Sequence, residues 1–211
     1  MAGGTKEIHF EDHIVNFLTQ EVKDYKLVHK SKYDKELCII PEDVLAFVKE
    51  SQPLKYQNLQ THLGKTTDTK IIEAVAKSLR HNKTLKTLRN KLRITGERLD
   101  LIYFQPANNK TPEHELWYKQ NRLSIIRQLA YSTKNNNELD LCFFINGIPV
   151  ATAELKNALT GQNHHNAIKQ YIQDRNPKGE SLLEFQRCLV HFAIGTEKVF
   201  MTTKLDGKST F

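Results

Sequence analysis

Between Glu138 and Lys156 two apolar runs, Leu139 to Ile145 and Val150 to Leu155, are separated by Asn146-Gly147-Ile148-Pro149. Asn-Gly between apolar runs is a strong short-range hairpin signal, because both residues accept the left-handed backbone of the tight turn. The spacing therefore predicts two adjacent antiparallel strands. Alternation places Glu154 and Lys156 on one face and Ala153 and Leu155 on the other. A turn centred on Gly147 sets Asp140 directly opposite Glu154, with Cβ atoms roughly 4.5–5.5 Å apart. A two-residue Asn146-Gly147 turn shifts the pairing by one, and a bulge changes the register again.

Around this hairpin the pattern predicts an α/β fold, a mixed sheet flanked by helices and preceded by a mostly helical N-terminal region. Residues 9–20 read as an amphipathic helix with Ile14, Val15, Phe17 and Leu18 on one side. Pro41-Glu42-Asp43 opens a second helix through about Lys49, proline and acids suiting a first turn. Residues 68–90 read as a third, with Asp68 as its cap. Leu99 to Phe104 reads as a strand and Asn108 to Pro112 as a loop; an apolar-rich run covers 122–131. A helix is expected from about Asn163 to Asp174, stopping before Pro177. A second hairpin, Leu189 to Ile194 and Val199 to Thr203, turns at Gly195-Thr196-Glu197. Residues 1–211 are thus read as one domain, with 1–95 mostly helical and 96–211 the α/β core.

The 211 residues, about two-fifths of them hydrophobic, suffice for one sizeable core. No apolar run approaches the roughly 18 residues of a membrane span, and the first residues lack a signal peptide's apolar stretch. Cys38, Cys142 and Cys188 stand far apart, which suggests neither a zinc site nor a disulfide framework. The expected setting is a reducing cytoplasm. The net charge is +7, which draws the chain toward polyanions. Between Lys77 and Arg98 eight cations face one acid, Glu97. Lys77, Arg80, Lys83 and Lys86 recur every three residues and can share a helix face. Arg80, Lys83, Lys86 and Arg89 are the candidates for phosphate contact; a solvated helix surface is the alternative.

Two carboxylates brought close together repel unless a cation neutralises them, and oxygen ligands suit magnesium. Such an ion lowers the pKa of a bound water and stabilises charge on a phosphodiester. A lysine beside it can position the water and stabilise the transition state. Charges on an outer hairpin face can also simply pair across strands. Against that reading, Leu139-Asp140-Leu141 and Ala151 to Lys156 are too apolar for an exposed ribbon, and a charge embedded in such a run is costly unless paired or metal-bound.

Asp140, thirteen residues, Glu154, one residue and Lys156 resemble the PD-(D/E)xK nuclease signature. The wider wording is more specific. Asn121 to Leu129, Leu139-Asp140-Leu141, Asn146 to Val150, Ala153 to Asn157, Leu159-Thr160-Gly161-Gln162, Gln170-Tyr171, Asp174-Arg175, Val190 to Ala193, Met201-Thr202-Thr203 and Phe10 to Val15 are similar to the N-terminal region of R subunits of type I restriction enzymes. That resemblance implies a restriction-endonuclease-like fold and magnesium-dependent cleavage of double-stranded DNA. It implies Asp140 and Glu154 as metal-binding acids, Lys156 as the catalytic lysine, Glu11 as an additional acid near the metal, and Gln170 as the glutamine of a Gln-x-x-x-Tyr element. Here position 174 is Asp, and Tyr171 directly follows the glutamine. Modification (methyltransferase) and specificity subunits are the implied partners. ATP use is implied for a translocase part outside this chain, which reads as an N-terminal fragment. Gly64-Lys65-Thr66 lacks the earlier glycine of a phosphate loop, Leu59 standing there, and is read as a loop. The rival readings are a catalytically silent DNA-binding or docking module, and a repair or junction-resolving PD-(D/E)xK nuclease.

Overall fold

The computed structural model describes residues 2–108, 110–156, 164–206 and 211. Asn109, Asn157, Leu159 to Gln162 and Asn163, all named above, lie outside the described residues. The helical N-terminal region is as expected. It comprises α1 (Ala2–Asn16), which runs into a π-helical turn at Phe17–Glu21, then α2 (Pro41–Ser51), α3 (Pro53–Leu63) and α4 (Thr67–Arg89). Prolines at the first positions of α2 and α3 lose no intrahelical hydrogen bond there, and they set adjacent helix starts. The sequence reading had no helix over Pro53–Leu63. Its only fully buried residue is Leu59, so the apolar stripe is thin. Gly64–Thr66 is a short 3-10 turn joining α3 to α4.

Three local readings are corrected. Asp68 is not the cap of α4: the cap position is Thr66, without a side-chain cap bond, and Asp68 binds Lys49 at 2.7 Å and Tyr56 at 2.8 Å instead. The strand near Leu99 is not Leu99 to Phe104. Residues Leu92–Ile94 (β2) and Glu97–Leu99 (β3) form a separate hairpin. Beyond it the backbone is bound by side-chain amides rather than a neighbouring strand, Asn146 donating to Leu101 O and Asn121 to Tyr103 O. The cations of α4 do not share one face, because the helix kinks at Lys83 (φ 62°). Pro112–Tyr118 (α5) is a further short helix that the loop reading left out.

Among the described residues the main sheet has six strands. They are β1 (Tyr25–Leu27), β4 (Leu123–Ala130), β5 (Glu138–Ile145), β6 (Ile148–Lys156), β7 (Val190–Gly195) and β8 (Val199–Thr202), adjacent in that order. β1–β4 and β6–β7 pair parallel, the other neighbours antiparallel. The helix α6 (His164–Gln173) lies between β6 and β7 in sequence and packs on both.

Both registers considered for the central hairpin occur, one after the other. Asn146 and Gly147 form a two-residue turn, both with positive φ, and Ile145 pairs with Ile148. A bulge then follows, so that Phe143 pairs with Ala151 and Leu141 with Ala153. Continuing that second register brings Asp140 level with Glu154. Val15 of α1 packs with Ile125, Leu141, Ala153 and Leu155 on one sheet face. The other face carries Ile126, Cys142 and Phe144, covered by Tyr171, Leu182 and Leu183. All three cysteines are free and buried.

Candidate active site

β6 alternates between these two faces. Ala153 and Leu155 join the α1 side, while Thr152 and Glu154 face α6 and the segment after it. Glu154 is fully buried. A carboxylate in that position needs compensation, and Arg175, just beyond α6, supplies half of it. Its Nε donates to Glu154 Oε1 at 2.7 Å, and its NH2 donates to the Glu138 carbonyl at 2.6 Å. Arg175 thereby ties Glu154 to the backbone of β5, two residues before Asp140. Glu154 Oε2 is buried with no hydrogen-bond partner among the described residues.

The ladder between β5 and β6 ends at Leu141–Ala153. Past that point the Asp140 side chain takes over, its Oδ2 accepting from the Leu155 N–H at 2.7 Å. The acid is thus inserted where the two strands part. Burial, and then the Asp140 charge beside it, push the Glu154 carboxyl from 4.5 up to about 8, and Arg175 opposes this without cancelling it. Lys156 ends β6 on the Glu154 face by alternation, half-buried and level with Gly195 of β7.

Glu11 is also buried. It accepts from Arg127, and its Oε2 accepts from the Gln128 amide at 2.7 Å. The same amide nitrogen lies 3.4 Å from Asp140 Oδ1. Gln128 reaches both because its backbone is left-handed, φ 46° in the middle of β4. Such a conformation is uncommon outside glycine, Asn and Asp. Glu11 is therefore one side chain away from Asp140. Gln170 lies on α6, half-buried, and its side chain makes no hydrogen bond among the described residues. Its neighbour Tyr171 is the anchor, hydrogen bonding to Thr152 at 2.8 Å; Thr152 in turn meets His191 Nδ1 at 2.7 Å.

Arg175 and Gln128 are the residues that the sequence reading did not assign. One signal was available: a glutamate in the run Ala151 to Leu155 needs a cationic or metal partner. Nothing along the chain says which of 31 Lys and Arg provides it.

Would a cation fit here? One oxygen of Glu154 has no hydrogen-bond partner among the described residues, in a site where a second carboxylate is close enough to repel it. That donor set suits a hard dication which keeps most of its waters. Among the described residues no group of three or more His, Cys, Asp or Glu side chains is arranged to hold a metal ion; Asp140 and Glu154 are the two carboxylates that could contribute.

The basic residues lie elsewhere. Arg80, Lys86 and Arg89 are exposed on α4 without an ion-pair partner among the described residues, whereas Lys83 is turned toward Glu184 at 3.4 Å. No helix among the described residues is long and apolar enough to cross a membrane. No curated protein matches the chain. The family model described as "Type I restriction enzyme R protein N terminus" matches residues 21–210, which takes in the whole sheet, α2 to α6 and every residue discussed here except Glu11 and its neighbours in α1. The chain belongs to the family of type I restriction enzyme R protein N-terminal domains.

Proposed function

We propose that this chain is the nuclease domain of a type I restriction enzyme R subunit, and that it cuts double-stranded DNA in a magnesium-dependent reaction at Asp140, Glu154 and Lys156. The observation that carries the reading is the state of Glu154. On the strand that ends in Lys156, it is wholly buried, has one oxygen without a partner among the described residues, and lies beside the carboxylate of Asp140 on β5.

In this reading Asp140 and Glu154 would hold magnesium, which would supply an activated water and charge neutralisation at the scissile phosphate. Arg175 keeps Glu154 in one orientation, and the Leu155 N–H does the same for Asp140. Lys156 stabilises the negative charge that develops on the phosphate. Glu11 and Gln128 hold the far side of Asp140, and Gln170 would contribute from α6, which packs on β6. Arg80, Lys86 and Arg89 contact DNA phosphates, and Lys83 joins them once released from Glu184. The modification and specificity subunits would choose the DNA, and ATP hydrolysis would belong to the motor part of the subunit.

The test is plasmid cleavage by the assembled enzyme with ATPase measured in parallel. Asp140→Ala, Glu154→Ala and Lys156→Ala should each abolish cutting and leave ATP hydrolysis intact, and the losses should not add, because residues acting as one unit fail together. Normal cutting by the Glu154 and Lys156 variants would sink the reading. Loss of ATPase along with cutting would point to an assembly defect.

A further inference from the structure

A cavity of about 590 Å³ lies between the C-terminal half of α4 and the segment that precedes β7. Its lining includes Leu85, Lys86, Arg89, Phe185 and Gln186. It is remote from the two carboxylates: Leu189, also in its wall, bonds to Val150 near the start of β6, while Glu154 and Lys156 lie four and six residues further along. At about 3.3 Å per residue that is roughly 13–20 Å.

Its walls are held in place. Thr84, fully buried, donates its N–H to Gln186 O at 3.1 Å and its hydroxyl to Arg187 O at 2.5 Å. On either side of this join stand two non-glycine residues in the left-handed region, Lys83 at φ 62° and Gln186 at φ 66°. Backbone of this kind is costly, and it persists only where the surroundings enforce it. Here the two left-handed residues flank the Thr84 join between helix and loop, beside the cavity. Two kinds of group face outward from it. Phe185 is 50% exposed and Leu85 is 41% exposed. Lys86 and Arg89 are exposed cations with no ion-pair partner among the described residues.

A ligand for this cavity must offer negative charge and a flat apolar surface together. Inorganic phosphate offers only the first. Duplex DNA keeps its bases stacked inside and presents phosphates alone to a wall of this shape. An unpaired nucleotide offers both, since its base has a π-face and its phosphates are fixed beside it. The volume falls within the range of small-ligand sites. We propose that this cavity binds unpaired nucleotides of single-stranded DNA, with a base against Phe185 and the flanking phosphates on Lys86 and Arg89. The proposal rests on the reading of the chain as a DNA-acting domain and adds to it a second, non-cleaving contact.

The test is fluorescence anisotropy of the 211-residue chain in EDTA. The probes are labelled oligo-dT, an abasic strand of the same length and charge, and a duplex. Oligo-dT should bind at least about fivefold tighter than the abasic strand, the lower end of the effect of stacking one base on an aromatic ring. Phe185→Ala should erase that preference and leave duplex affinity unchanged, while Phe185→Trp, which keeps a ring, should retain it. Lys86→Glu with Arg89→Glu should weaken all three probes. Equal affinity for oligo-dT and the abasic strand overturns the proposal, as does a preference that survives Phe185→Ala. Because no divalent ion is present, the measurement is independent of cleavage. Absence of the preference while the assembled enzyme still cuts plasmid removes this site alone, whereas a preference that is present while the assembled enzyme does not cut removes the nuclease reading alone.

Discussion

Glu154 and Arg175 set the electrostatics of the candidate site. The folded protein holds the Glu154 proton up to about pH 8, against 4.5 for a free side chain. Between these values the folded state binds a proton that the unfolded state has released, so stability falls as pH rises. The contribution is complete below 4.5 and is lost as pH passes through about 8. In metal-free protein the melting temperature should therefore decline from pH 5 to pH 9, and Glu154→Gln should flatten the decline; an unchanged slope in that variant would mean that another group is responsible. At pH 9, above the Glu154 value of about 8, Arg175→Met leaves a buried carboxylate unpaired and should cost about 3–5 kcal/mol in denaturant unfolding. Glu154→Gln made in the same chain should recover most of that loss. If the two substitutions simply add, the ion pair is not what holds this corner together.

At the scale of elements, the β5–β6 turn is more than a connection. Ile40 at the start of α2 donates to the Gly147 carbonyl at 2.8 Å. A Cβ at Gly147 would strike the Ile40 carbonyl and lie 2.8 Å from Val44 Cγ2, on top of the strain at φ 77°. Gly96, at φ 85°, faces open space. Gly147→Ala should therefore cost about 1–3 kcal/mol from overpacking beyond the left-handed strain of about 1–2 kcal/mol that Gly96→Ala also suffers; equal melting temperatures for the two would contradict the close contact. The link between α6 and the sheet is a second case. Tyr171→Phe leaves Thr152 and His191 to share one fewer buried partner and should destabilise by about 1–3 kcal/mol. Burial lowers the His191 pKa to about 4, so stability from this side chain is present above the ordinary His value and is lost as pH falls toward 4. These two elements were legible in different degrees. Asn146-Gly147 announced the turn, but not that Asn146 would be buried beneath 101–103. The helix over 164–173 was readable, its anchoring through Tyr171 was not.

Over the whole molecule, the candidate carboxylates and the exposed cations of α4 lie on different elements: Asp140 is on β5 and Glu154 near the end of β6, whereas Arg80, Lys86 and Arg89 are on α4. Reversing the charge of these three should weaken duplex binding and flatten its dependence on salt, because fewer counterions are released. An unchanged salt slope would show that they are only a solvated surface.

Period-two and helical patterning were enough to place the strands of the central hairpin, β7 and β8, and most of the helices, because apolar spacing is a local property of the chain. The same alternation put Glu154 and Lys156 on one face and Ala153 and Leu155 on the other. Short elements with thin apolar stripes, α3, α5 and the β2–β3 hairpin, were not separable from loops on that basis. The register beside Asp140 depended on a bulge at Val150, which trades one hydrogen-bonding position for another and leaves no mark in residue type. Charge spacing over 77–86 suggested a continuous basic face, and the left-handed backbone at Lys83 divided it. That Glu154 takes Arg175 as its partner, and that Gln128 bridges Glu11 to Asp140, were decided only by tertiary structure. A buried charge requires a partner, but which one depends on how β5, β6, α1 and the end of α6 meet, and residues 21 to 117 positions apart in the chain carry no local record of that meeting.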